Sequence, residues 1–134
     1  MPSRIKRKRI RGWRKGSAVI VDRTSRYGNP FRIIDDLIVQ APTGEPWNGR
    51  QWTCSTIEDA RERAAGLYDD WLDGERPDAH IVGGRVYDRR RVLAGLPGLR
   101  GRDLACTCPL PAPGRPDRCH AAVLLGLANS TREA

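Results

Sequence analysis

Asp103-Leu104-Ala105-Cys106-Thr107-Cys108-Pro109 is the stretch whose reading decides the fold. Leu104 to Cys106 is a short apolar run, the signature of a buried strand. In a strand, residues i and i+2 share a face, so Cys106 and Cys108 are expected to point the same way. Pro109 cannot donate to a sheet ladder and is expected to stop the strand from continuing as a central one. A proline-rich loop, 109–116, follows. Asp117 then offers a cap for a final helix, about 118–129, with Val123, Leu124 and Leu127 on its buried face. Cys119 and His120 open that helix. Three of the four cysteines and one of the two histidines therefore fall within residues 106–120, a crowding that asks for a chemical explanation.

Working outward, Ala18-Val19-Ile20-Val21-Asp22 is a second short β-branched run and a second buried-strand candidate. It leads straight into Arg23-Thr24-Ser25-Arg26-Tyr27-Gly28-Asn29-Pro30-Phe31. In α/β proteins, loops at the carboxyl ends of strands are where ligands sit, although Gly28-Asn29-Pro30 is equally good turn chemistry. Ile38-Val39 reads as a further strand at the end of a short hairpin or edge. Residues 41–53, with two prolines and two glycines, read as a surface loop whose Trp47 and Trp52 cover the core edge. The clearest helix spans 55–73: Ser55 and Glu58 form a capping box, and Ile57, Ala60, Ala64, Leu67, Tyr68 and Trp71 recur on one face. Gly74 ends it. Residues 75–84 carry no clear pattern, and His80 among them reads as an isolated surface histidine. Asp88 is expected to cap a short helix, 89–94, halted by Gly95 and Pro97. The sum is one small α/β domain over 1–134: a short, mainly parallel sheet with strands near 18–22 and 103–108, flanked by helices near 55–73 and 118–129. The carboxyl ends of those two strands would lie side by side, bringing loop 23–31 next to the cysteine cluster. The ends are a basic segment, 1–16, either a strand or irregular extended chain, and a fraying tail, 130–134.

At 134 residues the chain suits a single modest core. No apolar run reaches the roughly 18 residues of a membrane span. The basic N-terminus has no apolar stretch after it, so it does not read as a secretory signal, and a cytoplasmic protein is expected. Thiols in that compartment stay reduced, which favours ligands or reactive groups over disulfides. The net charge of +8 is local: residues 1–15 hold eight Lys and Arg (Arg4, Lys6, Arg7, Lys8, Arg9, Arg11, Arg14, Lys15) and no acid. Cations beside Trp13 suit phosphate or single-strand binding by charge pairing and stacking; the bland alternative is a solvated tail.

Three readings of the cysteines compete. Cys106, Cys108, Cys119 and His120 could form a tetrahedral zinc clip tying the loop ends together. Against it, C-x-C is a less typical spacing than C-x-x-C. Adjacent Cys119 and His120 also diverge by about 100° on a helix, so Cys54 could be the fourth ligand instead. Alternatively Cys119, at a helix N-terminus, or Cys108 is a reactive thiol with His120 as acid or base. Lastly, the thiols could simply be buried structure. No dinucleotide or phosphate-loop fingerprint is present, and the histidine-glutamate signature of zinc deaminases is absent.

Three motifs together carry a resemblance: Arg4-Ile5-Lys6-Arg7-Lys8-Arg9 leading to Gly12-Trp13-Arg14; Ser25-Arg26-Tyr27-Gly28-Asn29-Pro30-Phe31; and Leu99 to Pro109 with Cys119-His120-Ala121-Ala122-Val123-Leu124-Leu125. The chain resembles, over essentially its whole length, a bacterial and phage family known as domain of unknown function 4326. The resemblance implies no particular activity. It implies that Arg7, Arg9, Trp13 and Arg14 belong to the domain. Departures are Thr107 where relatives usually carry tryptophan, a longer proline-rich loop before Cys119, and Asp22-Arg23-Thr24 where relatives typically read Gly-Arg-Pro.

The expected function is a zinc-stabilised module binding nucleic acid or a nucleotide through Arg7, Arg9, Trp13, Arg14 and the loop residues Arg23, Ser25, Arg26 and Asn29. The alternatives are an enzyme acting on a nucleotide or nucleobase through Cys119 or Cys108 with His120, and a phage-type accessory protein whose basic arm binds an acidic host protein.

Overall fold

The computed structural model describes residues 2–8, 11–14, 16–74 and 79–130. Expectations placed on Arg9, Lys15, residues 75–78 and the tail 131–134 lie outside the described residues. In chain order the elements are β1 Arg4–Lys6, β2 Val19–Ile20, β3 Arg32–Ile34, β4 Ile38–Gln40, β5 Gln51–Thr53, α1 Ile57–Asp73, β6 Ala79–Val82, β7 Arg85–Asp88, α2 Arg89–Leu99, β8 Leu104–Cys106 and α3 His120–Ala128.

The chain is an α/β domain. Its parallel sheet has the order β1-β8-β2, with Lys6 opposite Cys106 and Ile20 opposite Ala105. β8 is thus the central strand, and it stops short of Pro109 as expected. The strand ends at Cys106, so the proline is never asked to donate to a neighbour. The basic segment is drawn into this sheet as β1, and Arg7 N–H extends the ladder to Cys106 O at 2.7 Å. The remaining strands are antiparallel: a β3-β4-β5 meander and a β6-β7 hairpin. The parallel character is therefore confined to the sheet that carries the cysteines.

Three corrections have local causes. Ile38-Val39 lies in the middle strand of the meander, because Gln51-Trp52-Thr53, expected as loop, pairs with it. The patternless 79–88 segment is a hairpin: Gly83 and Gly84, at φ 57° and 79°, make the two-residue turn that needs positive φ twice. His80 on that hairpin is buried, not at the surface. Helix α2 keeps its Asp88 cap but runs through Gly95 and Pro97. Continuing brings Leu99 into the core, and a proline in the last turn forfeits only one backbone bond.

Caps shift by small steps. Thr56, rather than Ser55, caps α1 by accepting Asp59 N–H at 3.1 Å, and Gly74 is the C-cap. Cys119, rather than Asp117, caps α3. Helices α1 and α3 pack on one another, and α3 covers β1 and β8. Val21, Tyr68, Val92, Leu99, Leu104 and Leu124 are fully buried between them. Of the residues expected on the buried face of α3, Val123 and Leu127 are only partly buried against this core.

Candidate metal centre and basic cleft

The parallel sheet sets the site. β8 delivers Cys106 at its carboxyl end, and the pleat keeps Cys108 on the same side, with the two sulfurs 3.8 Å apart. Cys119 arrives from the far end of the proline-rich loop. It sits at the cap, with φ −95° and ψ 148°, and its Sγ accepts Ala121 N–H at 3.4 Å. The ligand atoms of Cys106, Cys108 and Cys119 all lie within 4.8 Å of one another. For a tetrahedral ion with metal–sulfur bonds of about 2.3 Å, neighbouring sulfurs stand about 3.8 Å apart. The three thiols can therefore hold a metal ion with little movement.

Among the described residues no histidine or carboxylate joins that set. His120 stands beside it: its Nδ1 is 3.8 Å from Cys119 Sγ, while Nε2 is 2.6 Å from Val21 O. Its ring also meets Tyr68 edge-on, 5.1 Å between centroids. Because Cys119 is a cap in extended conformation, the angular divergence expected of two adjacent helical residues does not apply. Cys54 lies in another cavity, beside Ser55, Asp59 and Glu62. His80 packs against Gly44, its Nε2 without a partner among the described residues, and burial pushes its pKa down.

Three thiols this close cannot ionise independently. Hydrogen bonds from Cys106 and then Cys119, with Arg4 and Arg61 nearby, hold the Cys108 thiol well below the usual range. The Cys106 thiol is pushed up, chiefly by its bond to Cys108. The Cys119 thiol is pushed up by its bonds to Cys106 and Cys108 and by burial.

Arg4 closes the loop from beneath. Its side chain is 2% exposed and forks onto Asp117, Nε–Oδ2 2.6 Å and Nη2–Oδ1 3.0 Å. The same guanidinium donates to Cys108 O at 2.8 Å and Pro109 O at 2.6 Å. Asp117 in turn accepts Cys119 N–H at 3.3 Å. One arginine thus links the backbone beside Cys108 to the backbone of Cys119. Burial opposes its charge, and the hydrogen bond to Asp117 leads the effects that outweigh burial and raise its pKa.

Above the thiols runs a cleft of three adjoining cavities, of about 690, 220 and 510 Å³, and Cys108 lines all of them. Lys6, Arg7, Lys8 and Arg23 line the first, with Asn29, Thr107 and His120. Arg23, Arg32, Arg61 and Arg118 line the second, which has no acidic residue. Arg61, Arg115 and Arg118 line the third, beside Glu58 and Asp117. Asp22 also lines the first cavity, but Arg7 donates to it at 2.8 Å. Burial would raise the Asp22 pKa; hydrogen bonds from Thr24 and then Arg7 hold it below the ordinary value.

Of the residues singled out for phosphate, Arg7, Arg23 and Asn29 line this cleft. Asn29 is also a brace, donating to Ala64 O and accepting Phe31 N–H, both at 2.9 Å. Ser25 builds its own turn through Asp22 O and Tyr27 N–H. Arg26 lies over the Tyr27 ring at 6.0 Å. Ser25, Arg26, Trp13 and Arg14 are not among the residues lining the three cavities. Sequence reasoning missed Lys6, Lys8, Arg32, Arg61 and Arg115 as cleft residues, and Arg4 and Asp117 as the loop clamp. Arg61 gave no signal, since it stands among the ordinary charges of α1. Lys6 and Arg4 were legible only once the basic segment was known to be a strand.

The family model described as domain of unknown function (DUF4326) matches residues 5–130, and the chain belongs to that family. No curated protein and no solved structure matches it. None of the described helices is long and apolar enough to cross a membrane.

Proposed function

We propose that this domain is zinc-stabilised through Cys106, Cys108 and Cys119 and binds the phosphates of a nucleic acid or nucleotide in the basic cleft. One observation carries the reading: Cys108 lines three adjoining cavities whose walls carry Lys6, Lys8, Arg23, Arg61 and Arg118. Thiolates select soft or borderline ions, and zinc suits a reduced compartment because it has no redox chemistry of its own. The metal and Arg4 together hold the loop that carries Arg115 and Arg118. Phosphate oxygens would pair with the row of cations, the arginines offering planar forks to them.

The test is fluorescence anisotropy with a labelled single-stranded oligonucleotide, and competition by mononucleotides, on the metal-loaded chain. Binding is expected to weaken steeply with salt. The Arg23→Gln/Arg61→Gln double variant is expected to lose about a hundredfold or more in affinity at low salt, since charge-assisted contacts contribute about 1.5–3 kcal/mol each. Binding indifferent to salt and to both substitutions would defeat the reading.

A second reading has its own observation. The Cys108 thiol is held low and faces the cleft beside His120, as a nucleophile acting on a nucleotide or nucleobase would be. Rapid, selective alkylation of Cys108 in the metal-loaded protein, slowed by a nucleotide, would favour it over the structural ion.

A further inference from the structure

We infer, resting on the phosphate half of the reading above, that the second of the three cavities is a pocket for a phosphomonoester. The group it takes is a phosphate at the end of a molecule, not one inside a strand.

Four arginines meet at this cavity from four separate parts of the chain. Arg23 comes from the loop after β2, Arg32 opens β3, Arg61 stands on α1 and Arg118 precedes the Cys119 cap of α3. None of the four has an ion-pair partner among the described residues, whereas Arg4 and Arg7 are each matched to an aspartate. Beyond residue 15 the chain carries equal numbers of acidic and basic residues. A wall with four cations and no acid is therefore a local arrangement and not a reflection of composition. Glu58 and Asp117 stand in the adjoining third cavity, which shares Arg61 and Arg118. Asp117 is taken by Arg4, and Glu58 forms no ion pair among the described residues. Like charges gathered on one wall repel one another, and a bound anion removes that cost.

Size and valence narrow the anion. At about 220 Å³ the cavity is smaller than the roughly 300–1,000 Å³ of pockets that take whole small molecules. It suits one group of a ligand, the rest of which extends into the 690 Å³ cavity that shares Arg23, Asn29, Cys108 and His120 with it. A phosphomonoester carries three terminal oxygens and about −1.5 to −2 charges at pH 7; a diester has two such oxygens and a single charge. Guanidinium forks converging from several sides find more acceptors on the former. An arginine that does not touch the phosphate still favours its second charge at short range. Phe31, Ile33 and Tyr87 supply an apolar part of the wall, which lowers the local dielectric and strengthens each pairing.

The full chain is titrated by calorimetry with two matched pairs of probes. One pair is adenosine 5′-monophosphate and its methyl phosphodiester; the other is a single-stranded oligonucleotide with a 5′-phosphate and the same strand with a 5′-hydroxyl. The monoester of at least one pair is expected to bind about tenfold tighter or more at low salt. A preference in the first pair marks a free nucleotide as the source, and one in the second pair alone marks a strand end. Arg32→Gln is the discriminating variant, because Arg32 is exposed and of the three cavities lines this one only. It is expected to lose most of the preference while the methyl ester and the hydroxyl strand bind nearly as before. Equal, salt-sensitive binding within both pairs would overturn the pocket and leave the wider basic cleft as a phosphate site. A preference untouched by Arg32→Gln would overturn it too. Binding of none of the four probes would instead defeat the phosphate reading, and the pocket with it.

Discussion

Replacing Arg4 tests whether the N-terminal basic segment is part of the fold. In a solvated tail, an arginine-to-alanine change moves stability by no more than about 0.5 kcal/mol. Here the guanidinium is 2% exposed and Asp117 22% exposed, joined by two hydrogen bonds, and two further bonds reach Cys108 O and Pro109 O. Removing one partner of a buried pair typically costs about 3–5 kcal/mol, because the other charge stays behind without its counter-ion. Asp117 can draw some water and keeps the Cys119 N–H, and the two carbonyls adjoin an exposed loop. The lower end is therefore expected, about 3 kcal/mol for Arg4→Ala, which for a chain this long lowers Tm by roughly 10 °C. Arg4→Lys keeps the charge but not the fork, and should fall between wild type and alanine.

The assay is urea denaturation followed by circular dichroism, with the metal content held constant. The double variant Arg4→Ala/Asp117→Asn should be less destabilised than the sum of its parts, since each single change already breaks the same pair. An Arg4→Ala loss below about 1 kcal/mol, within the range of exposed pairs, would refute the clamp. Arg4 holds the backbone beside Cys108 and Asp117 holds that of Cys119, so a metal ion bound by the thiols as proposed should be lost to a chelator faster from Arg4→Ala than from wild type.

Two further changes probe other parts of the fold. His80 has its pKa lowered from 6.5 by burial, so between the folded value and 6.5 the unfolded chain binds the extra proton. Its contribution to stability is complete above pH 6.5 and is lost as pH falls below it. Thermal melts from about pH 7.5 to 5 should show an acid-side decline that is shallower in His80→Phe, and equal slopes would disprove the assignment. Gly28→Ala would place a Cβ 2.7 Å from Arg23 Cα and 2.9 Å from the Tyr87 ring. A loss of about 1–3 kcal/mol is expected from such overpacking, together with weaker oligonucleotide binding as the Arg23 backbone moves. A melt unchanged within a degree or two would show that the loop yields freely.

What the sequence made legible follows physical range. The α1 periodicity, the Asp88 cap and the two short apolar runs of the parallel sheet are local signals, and each leads to the right element. The meander strand Gln51-Trp52-Thr53 is three residues long, too short for alternation to distinguish it from loop. The hairpin about Gly83-Gly84 had its turn signal, but its strands are mixed in character, with Ile81 and Val86 paired on an exposed face. At the site, the thiol cluster was readable because cysteines are few and close in sequence. The clamp was not, since Arg4 and Asp117 are separated by 113 positions and nothing in a row of eight cations marks the one that is buried.

That row also bears on how the cleft would read a ligand. Arg4 and Arg7 are neutralised within the fold by Asp117 and Asp22, so the charge count of the segment overstates what it can offer to phosphates. If all eight cations of residues 1–15 met phosphates of a single strand, the slope of log K against log salt would approach about −6. A strand lying along the cleft would instead meet Lys6, Lys8, Arg23, Arg61 and Arg118, giving a slope of about −3.5. A mononucleotide, touching one or two of them, would give a slope shallower than about −1.5. Salt titrations with an oligonucleotide and with a mononucleotide thus separate the two ligand classes on one protein. A slope near −6 would place the binding on the arm itself and remove the cleft from the argument.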